Sequence, residues 1–168
     1  MGTDLVDLRV FQLAEELAQM VWDDVVKWDR FARGTVGEQL VRATDSIGAN
    51  IAEAYGRYHY GEKLRFLYYA RGSLYETRYW LRQALKRELI RREQADTIAQ
   101  LIHPLALGIN NFAASIRQQK NRSSDTEIRE EPITYATSRI PQSLNLPISD
   151  TAIIFSDEDL SCLQKNAS

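Results

Sequence analysis

The chain has 168 residues and a mass of 19.3 kDa, with 44% apolar and 26% charged residues and a formal net charge of −2. This length suffices for one domain to bury a core without disulfides or metals, and the composition is that of a globular protein, neither disordered nor membrane-embedded. No apolar run approaches the roughly 18 residues of a membrane span, and Met1-Gly2-Thr3-Asp4 lacks the layout of a signal peptide, so the cytoplasm is the expected compartment. Cys162 is the only cysteine, which excludes an internal disulfide and a cysteine-based metal cluster.

Residues 6–30 read as a first helix, with Val10, Leu13, Ala14, Leu17, Val21, Val25 and Trp28 at helical spacing. Phe11, Ala18, Trp22 and Val26 widen the apolar arc to about half the circumference, beyond the roughly 100° stripe that one core contact needs. Phe11, Trp22 and Val26 are therefore expected to face another subunit. A second helix is predicted after Gly34, over about 35–56, with Leu40, Ala43, Ile47, Ile51 and Ala54 inward and Gly56 as its stop. The third, about 60–89, turns Leu67, Ala70, Leu74, Thr77, Leu81 and Leu85 to one face. Gly72 in its middle costs about 1 kcal/mol relative to Ala, which suggests close packing there. The fourth, about 93–119, has the stripe Ile98, Ile102, Leu105, Ile109, Phe112 and Ile116, with Pro104 expected to kink it or mark its start. The fold class is all-α: an antiparallel, up-down-up-down four-helix bundle over residues 1–122. Residues 123–168 hold three of the four prolines and no helical period, and they read as a mostly disordered acidic tail. Within it, Ala152-Ile153-Ile154-Phe155 precedes Asp157-Glu158-Asp159-Leu160, a segment that fits a docking motif or a strand as well as a plain tail.

Charge is segregated along the chain. Residues 1–56 carry 5 Lys/Arg against 10 Asp/Glu, residues 57–92 carry 10 against 3, residues 93–122 carry 3 against 2, and residues 123–168 carry 3 against 8. The third helix is thus a basic element between acidic neighbours. Arg71, Arg78, Arg82 and Lys86 fall in a narrow sector of it with Tyr68, Tyr75 and Tyr79 interleaved, and Arg87, Arg91 and Arg92 extend the run past its end. Cations that pair with phosphates beside rings that stack on bases are the chemistry of single-strand or structured RNA binding. A solvated basic face pairing with the acidic helices accounts for the same residues.

Catalytic and metal-binding readings find little support. A di-iron bundle needs Glu-x-x-His on two helices, and neither His59 nor His103 has a Glu three residues before it. Glu15-Glu16 and Asp23-Asp24 have no partnering His or Cys and read as solvated helix faces. Ser46, Asn50 and Glu53 form a polar line at spacings of four and three, expected to be structural because no histidine lies near to act as a base. No catalytic residue, metal or cofactor is expected.

The stretch Gln39-Leu40-Val41-Arg42-Ala43-Thr44-Asp45-Ser46-Ile47-Gly48-Ala49-Asn50-Ile51-Ala52-Glu53-Ala54 resembles the signature of the bacterial four helix bundle protein family, also called the 23S rRNA intervening-sequence protein family. Tyr68-Tyr69-Ala70-Arg71-Gly72-Ser73-Leu74-Tyr75-Glu76-Thr77 gives a second match, and Leu8, Val10, Phe11, Ala14 and Leu17 suit its opening helix. Gly48 departs from the family's usual proline and Ala54 from its usual glycine, without breaking the helix. The resemblance implies a four-helix bundle that assembles as a homopentamer. It also brings in a related branch, the accessory proteins of diversity-generating retroelements, which bind a reverse transcriptase and nucleic acid. It thus favours a non-enzymatic scaffold with RNA or single-stranded DNA, and a reverse transcriptase, as candidate partners. The alternative is a helical protein-interaction module whose basic helix docks an acidic partner, its own tail included. The tail is expected to be dispensable for folding, because its composition buries too little apolar surface to offset ordering. Truncation after Arg122 should leave the melting temperature nearly unchanged, and a drop of many degrees would show that Ile153, Ile154 and Phe155 pack on the bundle.

Overall fold

The computed structural model describes residues 4–125, and the acidic tail lies outside them except for the last residues of the fourth helix. Asp4 caps a single 3-10 turn, Leu5–Asp7, its carboxylate accepting from the Leu5 N–H at 2.6 Å. Helix α1 then runs Arg9–Val25. It ends about five residues earlier than its periodicity suggests, because Asp29 caps a new helical start by accepting from the N–H groups of Phe31 and Ala32 at 2.8 and 3.0 Å. The chain turns through Arg30–Ala32 and a π turn, Arg33–Gly37, directly into helix α2, Glu38–Gly56. Gly34 therefore lies within helical backbone and does not precede it. The wide π turn absorbs one extra residue and leaves both Val36 and Gly37 buried. Helix α3, Tyr60–Lys86, comes after a three-residue connection, and helix α4 runs Arg92–Asp125, beginning well before Pro104 and continuing through it.

The α3–α4 connection closes in a Schellman-type turn: Glu88 takes a φ of 57°, and the Leu89 N–H donates to the Ala84 carbonyl at 2.9 Å. Helix α1 packs on α2 and α4, and α3 packs on α2 and α4, so the four helices close into an antiparallel bundle. Leu17, Ile47, Ile51, Leu81, Ile102 and Leu105 are among the side chains fully enclosed. A smaller cluster of Ala54, Leu67, Ala113 and Ile116 seals the end where α2 passes into α3. Among the described residues, the buried polar side chains Thr44 and Thr77 return their hydroxyl hydrogens to the Leu40 and Ser73 carbonyls at 2.7 and 2.9 Å, so neither is left unsatisfied.

Close helix approach does not occur at Gly72, contrary to the expectation from its mid-helix position. Gly72 is exposed, and a Cβ added there would meet nothing within 4 Å. The approach occurs instead at Gly108, where a Cβ would lie 2.9 Å from Val10 Cγ2 and 3.0 Å from Val10 Cβ, and at Gly37, where it would lie 2.7 Å from Val25 Cγ1. These two contacts set how near α4 and the start of α2 come to α1. The same substitution should therefore act in opposite directions at two of these glycines. Gly108→Ala is expected to destabilise by about 1–3 kcal/mol through overpacking, whereas Gly72→Ala stabilises by about 1 kcal/mol through helix propensity. Urea unfolding of the two variants checks the signs, and a loss of stability in Gly72→Ala would reveal a neighbour seated on that face.

Candidate nucleic-acid interface

Antiparallel packing brings residues far apart in sequence to one end of the bundle. The Arg117 Nη2 of α4 donates to the Tyr68 hydroxyl of α3 at 2.7 Å, and its guanidinium lies 5.7 Å from the centre of the same ring. Arg71 approaches that ring to 5.6 Å, so Tyr68 is flanked by two guanidiniums. Arg78 lies 5.6 Å from the Tyr75 ring one turn further along, and Tyr79 packs edge-on to Trp80 at 5.0 Å. Arg71, Arg78 and Arg82 are half-buried on the flank of α3, while Tyr75, Tyr79 and Lys86 are exposed. Tyr75 and Tyr79 thus offer open faces, whereas the Tyr68 ring is already engaged.

The run continues toward the start of α3 and not past its end. Arg57 stands 5.0 Å over the Phe66 ring and pairs with Glu53. Arg65 lies 5.9 Å from Phe66 and 5.7 Å from Tyr69, and those two rings meet edge-on at 5.8 Å. Tyr58 in the connection is 85% exposed and touches His59 edge-on at 5.3 Å. Such cation–ring pairs hold guanidiniums near aromatic faces and leave their N–H groups to acceptors. The pole formed by residues 53–71 and 112–122 carries seven Lys/Arg against two Glu.

Arg87, Arg91 and Arg92 follow the end of α3, at the other end of the bundle from Arg65 and Arg117. Arg92 pairs with Asp96 at 3.7 Å, and Arg91 donates through its backbone N–H and Nε to the Gln94 side-chain oxygen at 3.0 and 3.4 Å. Gln94 in turn donates to Asp24 at 2.9 Å. That end, residues 22–38 and 82–96, holds eight Lys/Arg against seven Asp/Glu and is nearly neutral. The residues missed in the sequence are Arg57, Arg65, Phe66, Tyr69, Arg117, Lys120 and Arg122. The available signal was the placement of all three cations of residues 93–122 in its last six positions.

The polar line of α2 satisfies itself locally. Ser46 Oγ donates to the Arg42 carbonyl and Asn50 Nδ2 to the Ser46 carbonyl, each at 2.7 Å, while Glu53 engages Arg57. Partial burial raises the Asp45 carboxyl above its ordinary value. Of the residues expected at a subunit contact, Phe11 is partly buried against the rim of the core. Trp22 and Val26 remain exposed, joined by Phe31, which is 79% exposed and stands beyond the cap at Asp29. His59 and His103 are both exposed. No helix among the described residues is long and apolar enough to cross a membrane.

A family model described as 23S rRNA-intervening sequence protein matches residues 6–111. Among solved structures, the chain is similar to a protein of unknown function from the S23 ribosomal protein family of Bacteroides thetaiotaomicron VPI-5482. The two are 25% identical with a TM-score of 0.55, over 62% of this chain and 97% of that one. No curated protein matches the chain. Helix α3 lies inside the matched residues, and Arg117, Lys120 and Arg122 lie beyond them. With most of the bundle inside the match, the chain belongs to the 23S rRNA-intervening sequence protein family.

Proposed function

We propose that this chain is a non-enzymatic, oligomeric scaffold that binds RNA or single-stranded DNA at the basic pole where α3 begins and α4 ends. The observation that carries the reading is the pairing of an excess of five positive charges with rings already held beside guanidiniums, as in Arg65–Tyr69 and Arg71–Tyr68–Arg117. Phosphates are ligands that such a cluster of cations attracts, and unstacked bases find exposed faces on Tyr58 and Tyr69. Duplex major-groove readout fits less well, because the surface mixes bulky rings with cations and offers no single helix edge of polar side chains. The family's description concerns intervening sequences of 23S rRNA, which agrees with an RNA ligand. The resemblance to retroelement accessory proteins adds a reverse transcriptase as the protein partner to test.

Self-association is supported by Trp22, Val26 and Phe31, large apolar side chains left in water near one end of the bundle. They equally fit a different protein partner, the alternative of a helical interaction module. Sedimentation equilibrium is expected to give an oligomer, with five subunits as the number the family resemblance favours. Trp22→Glu should dissociate it without loss of helical circular dichroism, and a monomer for the unaltered chain at micromolar concentration overturns the proposal.

Filter binding to a mixed RNA pool and to poly(U) tests the ligand. The log–log salt slope is expected to be roughly −0.7 per contacted phosphate, so replacing the exposed Arg65, Arg117 and Lys120 together by Gln should flatten it by about 2 and weaken binding at least tenfold. The same replacement of Arg87, Arg91 and Arg92 should change binding little. Equal losses in the two triple variants would return the interface to the whole length of α3, and no retention by the unaltered chain would remove nucleic acid from the proposal.

A further inference from the structure

Helix α4 delivers the chain to the basic pole, since Arg117 sits on Tyr68 and the last described residue, Asp125, comes about two turns later. The sequence beyond Asp125 is opposite in charge to that pole. Residues 126–168 carry seven Asp/Glu against three Lys/Arg, and four of those carboxylates lie within ten residues: Asp150-Thr151-Ala152-Ile153-Ile154-Phe155-Ser156-Asp157-Glu158-Asp159, with no cation among them. Three large apolar side chains stand between its acidic ends.

We propose that residues 150–159 are an internal ligand of the basic pole, docking there and competing with nucleic acid. The competition rests on the function proposed above, whereas the docking itself does not. Three considerations favour this pole. The pole's charge excess of five opposes the segment's four carboxylates, and the exposed rings of Tyr58 and Tyr69 give Ile153, Ile154 and Phe155 apolar surface beside the guanidiniums. The 24 residues from 126 to 149 reach at most about 80 Å when extended, which covers the pole with length to spare. Tethering at that same end raises the local concentration of the segment there above that at the far end, about 50 Å away along α4, where seven Asp/Glu offset eight Lys/Arg and leave little net attraction. An acidic segment bearing aromatic and aliphatic side chains thus offers the two chemistries of a single strand, negative charge and apolar surface, in peptide form.

Cys162, the only cysteine, lies three residues beyond the segment and takes a single label. A benzophenone maleimide on Cys162 of the full chain, irradiated at low salt and mapped by peptide mass spectrometry, is expected to cross-link mainly to residues 57–71 and 112–122. The cross-links should fade near about 0.5 M salt, where exposed charges are screened beyond roughly 4 Å, and in the full-length variant Asp157→Asn/Glu158→Gln/Asp159→Asn. Cross-links without preference, centred on residues 22–38 or 82–96, or unchanged in the variant overturn the docking. The variant is expected to bind poly(U) several-fold more tightly than the unaltered chain, and equal affinities overturn the competition. If the pole cross-links form and disappear as expected while poly(U) binds neither protein, docking stands and the nucleic-acid reading falls. If poly(U) binds both and the pole cross-links never form, the reverse holds.

Discussion

The register between α3 and α4 is the constraint on which the interface depends. It is fixed by packing, with Leu67, Leu74 and Leu81 of one helix and Ile102, Ile109 and Ile116 of the other all buried, together worth several kcal/mol of apolar burial. Sliding one helix past the other by a turn would expose part of both stripes. Because that slide is costly, the positions of side chains outside the core are also fixed, and Tyr68 meets Arg117 although 49 residues separate them. The Gly108–Val10 contact adds a second lock, holding α4 at one height against α1. Charged side chains at the pole inherit an arrangement that their own mutual repulsion would never select.

Gathering seven cations at one end of a small bundle opposes folding, and three features keep the opposition modest. Most of these side chains are exposed or half-exposed, so water and salt screen them within about 8–10 Å. Ring faces of Phe66, Tyr68, Tyr69 and Tyr75 take up part of the positive field. Glu53 sits on Arg57 across one helical turn, which neutralises the cation nearest the chain reversal. The result is a surface whose charge is tolerated by the fold. The opposite end uses its cations differently, engaging Arg91 and Arg92 with Gln94 and Asp96 and linking Gln94 to Asp24. Similar counts of Lys and Arg at the two ends therefore have unlike chemical consequences.

The helices were legible in the sequence because a stripe at intervals of three and four is written directly in Leu40, Ile47, Ile51 or in Ile98, Ile102, Leu105. Their boundaries and contacts were less so. Asp29 reads as one more charge, and only the backbone geometry reveals it as the cap from which helical backbone resumes at Arg30 and runs through a π turn into α2. Gly72 and Gly108 look alike in sequence, yet one faces open space and the other a valine, since spacing does not say which helix face is covered. The basic site was half legible for a related reason. Adding charge along the chain groups Arg78 with Arg87 and Arg92, its neighbours in sequence, whereas folding groups the start of α3 with Arg117, Lys120 and Arg122, which arrive from the end of α4. Antiparallel bundles systematically defeat such counting, because half of every residue's surroundings come from a helix that runs the other way.

Exposed Trp22, Val26 and Phe31 lie at the end of the bundle opposite the basic pole. Trp22 and Val26 stand at the end of α1, and Phe31 just past the turn after it, near the nearly neutral region of Arg91, Arg92 and Asp24. This separation bears on how assembly and ligand binding coexist. Copies that meet through the apolar end bury tryptophan and phenylalanine without bringing together poles that each carry an excess of five charges. Meeting through the basic end would instead add like charges at short range, with repulsion of about 1 kcal/mol for each pair at 4 Å even in bulk water. Contact through the neutral end therefore leaves the basic poles clear of one another.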